Sequence, residues 1–518
     1  MYAQLNSLTL FGLQGLVVQV EIDIANGLPA FDLVGLPDSS VREAKDRVRA
    51  AVRNSGYEIP MKRITANLAP ASLRKEGAGF DLCLALGILQ AAEQLPLEGL
   101  HGVAAVAELA LDGRLRPVRG MLSMALAAKQ HGLHTLLVAP ENAEEAALVN
   151  GLQVIAANSL RDVVKHVKGE AVLSTYVVKR SADSHEESLE VSSAGLDRVD
   201  FCEIKGQAHV KRALEIAAAG SHNVLLLGPP GSGKTMLAKR LPTILPELIE
   251  SESLEVTQIH SVAGLLPEGT GLLATRPFRT PHHTISAGGL VGGGTTPRPG
   301  EVSLAHGGVL FLDELPEFGK KVLEVLRQPL EDAQVTIART KATYTYPSRF
   351  LMVAAMNPCP CGFYGSDYKA CTCTPLQIKR YQSKISGPLL DRIDLHIEVP
   401  RVKYQDLVSE ELAESSRDIR ERVVQVRALQ KERFTGRAQP VNAAMSPLDT
   451  RKHCQLTEDA KQMLTDAFEH LGLSARAYER ILKVARTIAD LGGQEMIDVA
   501  HVAEAVQYRR LDRKFWGE

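Results

Sequence analysis

The chain has 518 residues, which at about 150 residues per domain corresponds to about three domains with separate cores. Hydrophobic residues at 45% and charged residues at 23% exclude a wholly disordered, collagen-like or heptad-only chain. Lys and Arg total 59 against 61 Asp and Glu, so the net charge of −2 gives no global attraction to nucleic acid or acidic membranes, and any polyanion site has to be local.

The opening MYAQLNSLTL has no basic stretch leading into an apolar one, and no run of about 18 apolar residues occurs, so a cytoplasmic protein without a membrane segment is expected. Residues 1–173 alternate strand and helix periods. SLTLFGLQGLVVQVEIDI and FDLVGL read as strands, followed by a helix from Ser40 to about Asn54 opened by a Ser40-x-x-Glu43 capping box. ITANLAP and LHTLLVAP read as further strands, FDLCLALGILQAAEQL as a buried helix and SLRDVVKHV as a terminal helix. Residues 174–198 are rich in Ser and charge and read as an exposed linker. From 199 to 403, apolar runs spaced for a parallel sheet with crossover helices predict an α/β domain. Residues 404–518 are helical in period, beginning with the charged amphipathic segment SSRDIRERVVQVRALQKERF.

NVLLLGPPGSGKTMLAKRL places an apolar strand, then Gly228-Pro229-Pro230-Gly231-Ser232-Gly233-Lys234-Thr235, then a helical pattern, which is a P-loop in its proper context. Glycines let successive N–H groups face phosphates, Lys234 reaches the β/γ-phosphates of ATP, and Thr235 gives an oxygen to Mg²⁺. GGVLFLDEL ends a second apolar strand in Asp313-Glu314, suited to holding the metal and activating water, respectively. Seven cysteines is an odd count, and four of them crowd between Cys359 and Cys373. Cys359-x-Cys361 and Cys371-x-Cys373, around a loop with Gly362 and Gly365, suit a four-thiolate Zn²⁺ site in a reducing compartment, with free structural cysteines as the alternative. His282 and His283 are adjacent, so on a strand they face opposite ways and packing or a phosphate-side role is expected of them, not joint chelation.

With these motifs, the second domain resembles AAA+ ATPases. FCEIKGQ looks like their adenine-side segment, with Ile204 and Gln207, and FLMVAAMNP like the sensor-1 strand, placing Asn357 by the γ-phosphate. SGPLLDRIDLHIEVP resembles the segment carrying the trans-acting arginine finger, which nominates Arg392, and LGLSARAYERILKVARTIADL resembles the lid helix with its sensor-2 arginine, nominating Arg476 over Arg480 and Arg486. Beyond the ATPase core, GLPAFDLVGLPDSSVREAKDRVRAAVRNSGYEIP, NLAPASLRKEGAGFDLCLALGIL and RPFRTPHHTISAGGLVGGG resemble the ComM/YifB family of magnesium-chelatase-like proteins. The resemblance implies an N-terminal ribosomal-S5/Lon-protease-like α/β domain, an AAA+ P-loop domain with insertions, and a C-terminal helical lid. It also implies a hexameric, ATP-driven DNA motor that promotes branch migration during natural transformation, with recombination proteins as possible partners.

A Lon-like protease needs a Ser nucleophile and Lys base, but the expected positions read Lys75-Glu76-Gly77-Ala78-Gly79 and Leu122, leaving only Ser72 and Lys75 as loop residues. A magnesium-chelatase ATPase subunit or a protein-remodelling ATPase shares the second domain. For DNA, the hairpin-like VTIARTKATYTYP presents Arg339 and Lys341 near its turn, SAGGLVGGGTTPRPG presents Arg298, and the basic helix from Arg417 to Arg433 is the reserve candidate.

Overall fold

A computed structural model describes residues 1–96, 98–177, 199–267, 269–294, 297–339, 342–366, 368–408, 413–471 and 473–511. Lys341 and most of the expected linker, 178–198, lie outside them. The chain divides into two compact units, one of residues 1–182, 250–273 and 338–346, the other of residues 183–249, 274–337 and 347–518. Two stretches that sequence alone assigns to the ATPase domain thus group with the N-terminal unit.

In the first unit the opening apolar stretch is two strands, not one. β1 (Tyr2–Phe11) and β2 (Gln14–Ala25) pair antiparallel from Tyr2↔Asp23 to Phe11↔Gln14 around a turn at Gly12. Val18, Val20, Ile22 and Ile24 alternate inward along β2, the period that buries one face of a sheet. β3 (Ala30–Val34) and β4 (Arg63–Ala69) flank β2, while β5 (Val103–Val106), β6 (Thr135–Val138) and β7 (Gln153–Ala156) extend the other side, giving the order β3-β4-β2-β1-β5-β6-β7. α1 (Ser39–Asn54) crosses over between the parallel strands β3 and β4. Its cap is Asp38, whose carboxylate accepts from Val41 N–H, so the expected Ser40–Glu43 box does not form. An ionised cap two residues earlier reaches the free N–H groups and suits the positive end of the helix. Glu43 instead lies 3.8 Å from Arg47. Every residue of α2 (Asp81–Ala91) is buried, as its continuous apolar run requires, and its one charge, Asp81, is met by Arg47 Nε at 2.7 Å. α3 (Met121–Gln130) and α4 (Pro140–Ala147) join the parallel strands β5, β6 and β7.

The second unit is built on an all-parallel sheet. β8 (Val224–Leu227) lies between β12 (Leu351–Met356) and β13 (Leu395–Glu398); β9 (Val309–Leu312) lies beyond β12, with the two-residue strand Phe278–Arg279 outermost. Between β9 and β12 in the chain, β10 (Gln334–Arg339) and β11 (Ala342–Pro347) form a two-stranded ribbon. The central strands are buried throughout, which explains their unbroken apolar runs. α5 (Ala208–Gly220), α6 (Lys234–Arg240), α7 (Ser416–Arg433) and α8 (Ala475–Leu491) share one hydrophobic core with this sheet. The C-terminal helices therefore form no separate compact unit at 404. No helix among the described residues is long and apolar enough to cross a membrane.

Candidate functional site

Parallel strands put their carboxyl ends on one edge, and here β8, β12 and β9 each hand over to a motif at that edge. Leu227 of β8 leads into Gly228, whose N–H donates to Met356 O at the end of β12 (3.2 Å). Gly233 turns the loop into α6 with φ +89°, a conformation that glycine reaches without penalty. Lys234 is buried, and its Nζ donates to Gly228 O (2.8 Å), Pro229 O (3.0 Å) and Asn357 Oδ1 (3.2 Å). Burial pulls the Lys234 pKa below the ordinary lysine value, with Asp313 and Glu314 acting against that shift. Thr235 Oγ1 donates to Asp313 Oδ2 at 2.8 Å. A hydroxyl and a carboxylate facing each other beside a phosphate loop are the oxygen donors that Mg²⁺ takes, so the residues present fit Mg·ATP.

Glu314 adopts φ +53°, with its N–H held by Asp313 Oδ1 at 2.9 Å and its side chain exposed. A non-glycine residue in that region is strained, and such strain clusters where a side chain must be aimed. Glu314 Oε2 lies 3.6 Å from His283 Nδ1. His282 and His283 are therefore not on a strand; they sit in a turn with ring centroids 4.1 Å apart. The adjacent pair was visible in the sequence, but the approach of His283 to the catalytic-type carboxylate was not.

Gln207 Nε2 bridges Ser232 O (2.9 Å) and Pro400 O (3.0 Å), tying the segment before α5 to the phosphate loop, whereas Ile204 is buried in the core. Arg392 is 8% exposed and donates to Pro388 O (2.5 Å) and to Glu331, and not to either neighbouring aspartate. Those aspartates serve α8 instead. Asp391 lies 3.9 Å from Arg476, and Asp394 is ion-paired to Arg480. Arg486 is buried against Asp490 and two backbone carbonyls, which leaves Arg476 as the exposed arginine of the three.

The sulfurs of Cys359, Cys361, Cys371 and Cys373 all lie within 4.8 Å of one another. Although desolvation opposes it, backbone N–H groups of Phe363 and Thr372 hold the Cys361 thiol down at about 5. The Cys373 N–H favours ionisation of Cys371, but burial and the sulfurs of Cys361 and Cys359 push that thiol up to about 12. Four sulfurs this close do not all ionise without a cation among them.

Residues 200–407 match the family of magnesium chelatase subunit ChlI, residues 413–509 its C-terminal family and residues 20–142 a further ChlI family. The chain is 47% identical over 507 residues to the competence protein ComM of Haemophilus influenzae, covering 97% of this chain and 96% of that one. It belongs to the ComM/YifB family. Similarity to YifB of Escherichia coli is 44% over 498 residues, covering 96% of this chain and 94% of the relative. Lon protease 2 of Bacillus subtilis is 23% identical over 181 residues, 31% of this chain and 32% of the relative. The ComM/YifB chain is thus a magnesium-chelatase-like AAA+ protein with Lon-like homology. Its first unit holds no paired Ser–Lys dyad at the expected loop: Ser72 is exposed, while Lys75, expected to be solvated, is fully buried and donates to Pro70 O. In this ComM/YifB protein Arg339 ends β10 on an exposed position and Arg298 is exposed on the short strand Arg298–Pro299.

Proposed function

We propose that this ComM/YifB protein is an ATP-hydrolysing, ring-forming DNA motor with helicase or branch-migration activity in homologous recombination during natural transformation. The observation that carries the ATPase part is the convergence of Lys234, Asn357, Thr235 and Asp313 at adjacent strand ends. The DNA part is supported by full-length kinship to a protein named for competence. In this reading the phosphate loop Gly228–Thr235 and Lys234 bind the ATP phosphates, with Gln207 and Ile204 on the adenine side. Thr235 and Asp313 would hold Mg²⁺, which when bound neutralises charge on the phosphates. Glu314 orients water and takes its proton at the carboxylate, and Asn357 positions the same water from the neighbouring strand. Arg392 would act across a subunit interface of a hexamer, which requires it to exchange Glu331 for phosphate, and Arg476 would act as sensor 2. Arg339, Lys341 and Arg298 would contact DNA. The four cysteines would carry Zn²⁺, and the protein would act in the cytoplasm, with recombination proteins as further partners.

The ChlI matches favour a second reading, an ATPase subunit of a chelatase-type or protein-remodelling machine. ATPase assays with no DNA and with single-stranded, double-stranded and four-way-junction DNA separate the two. Stimulation by DNA supports the motor, and hydrolysis indifferent to all three removes DNA as its substrate.

A further inference from the structure

The thiol cluster and the phosphate loop meet at one residue. Cys359 Sγ is 3.3 Å from Cys361 Sγ and 3.6 Å from Cys371 Sγ, and the last two are 3.5 Å apart. A zinc tetrathiolate with bonds of about 2.3 Å has sulfur–sulfur edges of about 3.8 Å. Ion binding therefore asks for small outward movements, not a new chain path. Four sulfurs without an oxygen donor select zinc over Mg²⁺ or Ca²⁺. The strands of regular structure do not reach this segment: between β12 and the helix Pro375–Gln382 the described backbone is turns and bends. What holds it is the Gly362 N–H on Cys359 O (2.9 Å), the Tyr364 N–H on Cys359 Sγ (3.3 Å) and the Gln382 amide on Pro358 O (3.3 Å).

Gly362 follows the ligand-type Cys361 directly and faces the nucleotide site. A Cβ there would come 2.4 Å from Pro230 Cδ and 3.8 Å from Asn357 Cγ. The turn 359–362, inside the cluster, is thus packed against Pro230 of the phosphate loop and lies beside Asn357, the partner of Lys234.

We propose that Cys359, Cys361, Cys371 and Cys373 bind one Zn²⁺, and that the metal, by fixing the turn 359–362 against Pro230, holds the phosphate loop and Asn357 in their ATP-binding arrangement. The cysteines and Gly362 are positioning residues. The inference rests on the nucleotide reading above.

Two glycines of the same loop make the test. Gly362 (φ +84°) and Gly365 (φ +76°) both occupy left-handed backbone, but a Cβ at Gly365 meets nothing within 4 Å. Gly362→Ala and Gly365→Ala carry the same backbone cost, and only the first strikes the phosphate loop. Elemental analysis and titration with a fluorescent ATP analogue are applied to the full-length wild type, both alanine variants and a Cys361→Ser/Cys371→Ser double variant, with circular dichroism to verify folding. We expect one zinc per chain in the wild type and both alanine variants, and none in the double variant. ATP affinity should fall about tenfold in Gly362→Ala and in the double variant, and stay within about twofold of wild type in Gly365→Ala. Wild type free of zinc but binding ATP overturns the proposal alone, as do equal affinities for the two alanine variants. Wild type that holds zinc but binds no ATP overturns the nucleotide reading and the coupling with it.

Discussion

Among the described residues Lys234 meets no carboxylate; its ammonium rests on two loop carbonyls and the Asn357 amide oxygen. Lys234→Ala should therefore abolish ATP binding in an equilibrium titration without unfolding the chain. Glu314→Gln should bind ATP as tightly as wild type while hydrolysis falls about a hundredfold or more, since the cradle survives and proton acceptance is lost. His283 approaches Glu314 without reaching the phosphate loop's own hydrogen bonds. His283→Ala is expected to lower kcat several-fold with little change in ATP affinity, and an unchanged kcat would show the histidine to be packing alone. What was legible at this scale was what the chain holds close together. Gly228 to Thr235 and Asp313-Glu314 announce themselves by spacing, because the chemistry needs those neighbours. The hold of Glu331 on Arg392 joins residues 61 apart, and no local pattern encodes it.

Among the elements, α8 shows how three arginines on one helix take different tasks: Arg476 faces solvent, Arg480 pairs with Asp394, and Arg486 closes the helix end onto Asp490 and the carbonyls of Gln494 and Glu495. Asp394 precedes β13 and also accepts from Asn223 N–H at 2.9 Å, so it joins the sheet to α8. Burial would raise its pKa, but Arg480 and His222 outweigh it and hold the carboxyl well below the usual carboxylate range. Folding then favours the ionised form, so its contribution is complete above about pH 4 and is lost as the pH falls further. Asp394→Asn should cost about 3 kcal/mol near neutrality by removing the buried carboxylate that pairs with the half-buried Arg480, with the Tm gap to wild type narrowing in acid. The helical period of α7 and α8 was readable, as was the parallel sheet, because a helix with one apolar face and strands buried on both have distinct patterns. The roles of their charges were not. Three of the six cations of α7, the reserve DNA surface, are engaged within their own unit: Arg422 by Glu215 and Glu414, Arg427 by Ala218 O and Arg433 by Asp490.

For the whole molecule, a ring of the proposed kind would repeat each site in every subunit, so a nearly neutral chain would still present a positive channel if a few cations faced it. Replacing Arg339 and Lys341 by Ala should weaken junction-DNA binding and flatten its salt dependence, with basal hydrolysis close to normal; unchanged affinity and salt slope would place the DNA contact elsewhere. Mixing Lys234→Ala with Arg392→Ala subunits should restore part of the activity if Arg392 acts in trans, and no rescue at any ratio with assembly intact would confine it to its bond with Glu331. The division of the chain itself bears on how the protein is made. In the first unit the helix Glu250–Ala263 lies on α3, with Gln258 donating to Leu13 O (2.9 Å) and Ser123 Oγ (3.0 Å), Ser261 bonded to Glu145, and Leu254 packed on the cluster that includes Met121 and Leu122. On the ribosome, then, the N-terminal sheet and α3 emerge long before the helix that covers α3, and the unit is complete only once the ribbon near residue 346 has left the exit tunnel. A fragment ending at 173 lacks that cover, and limited proteolysis should cut it at α3, where the full-length chain resists.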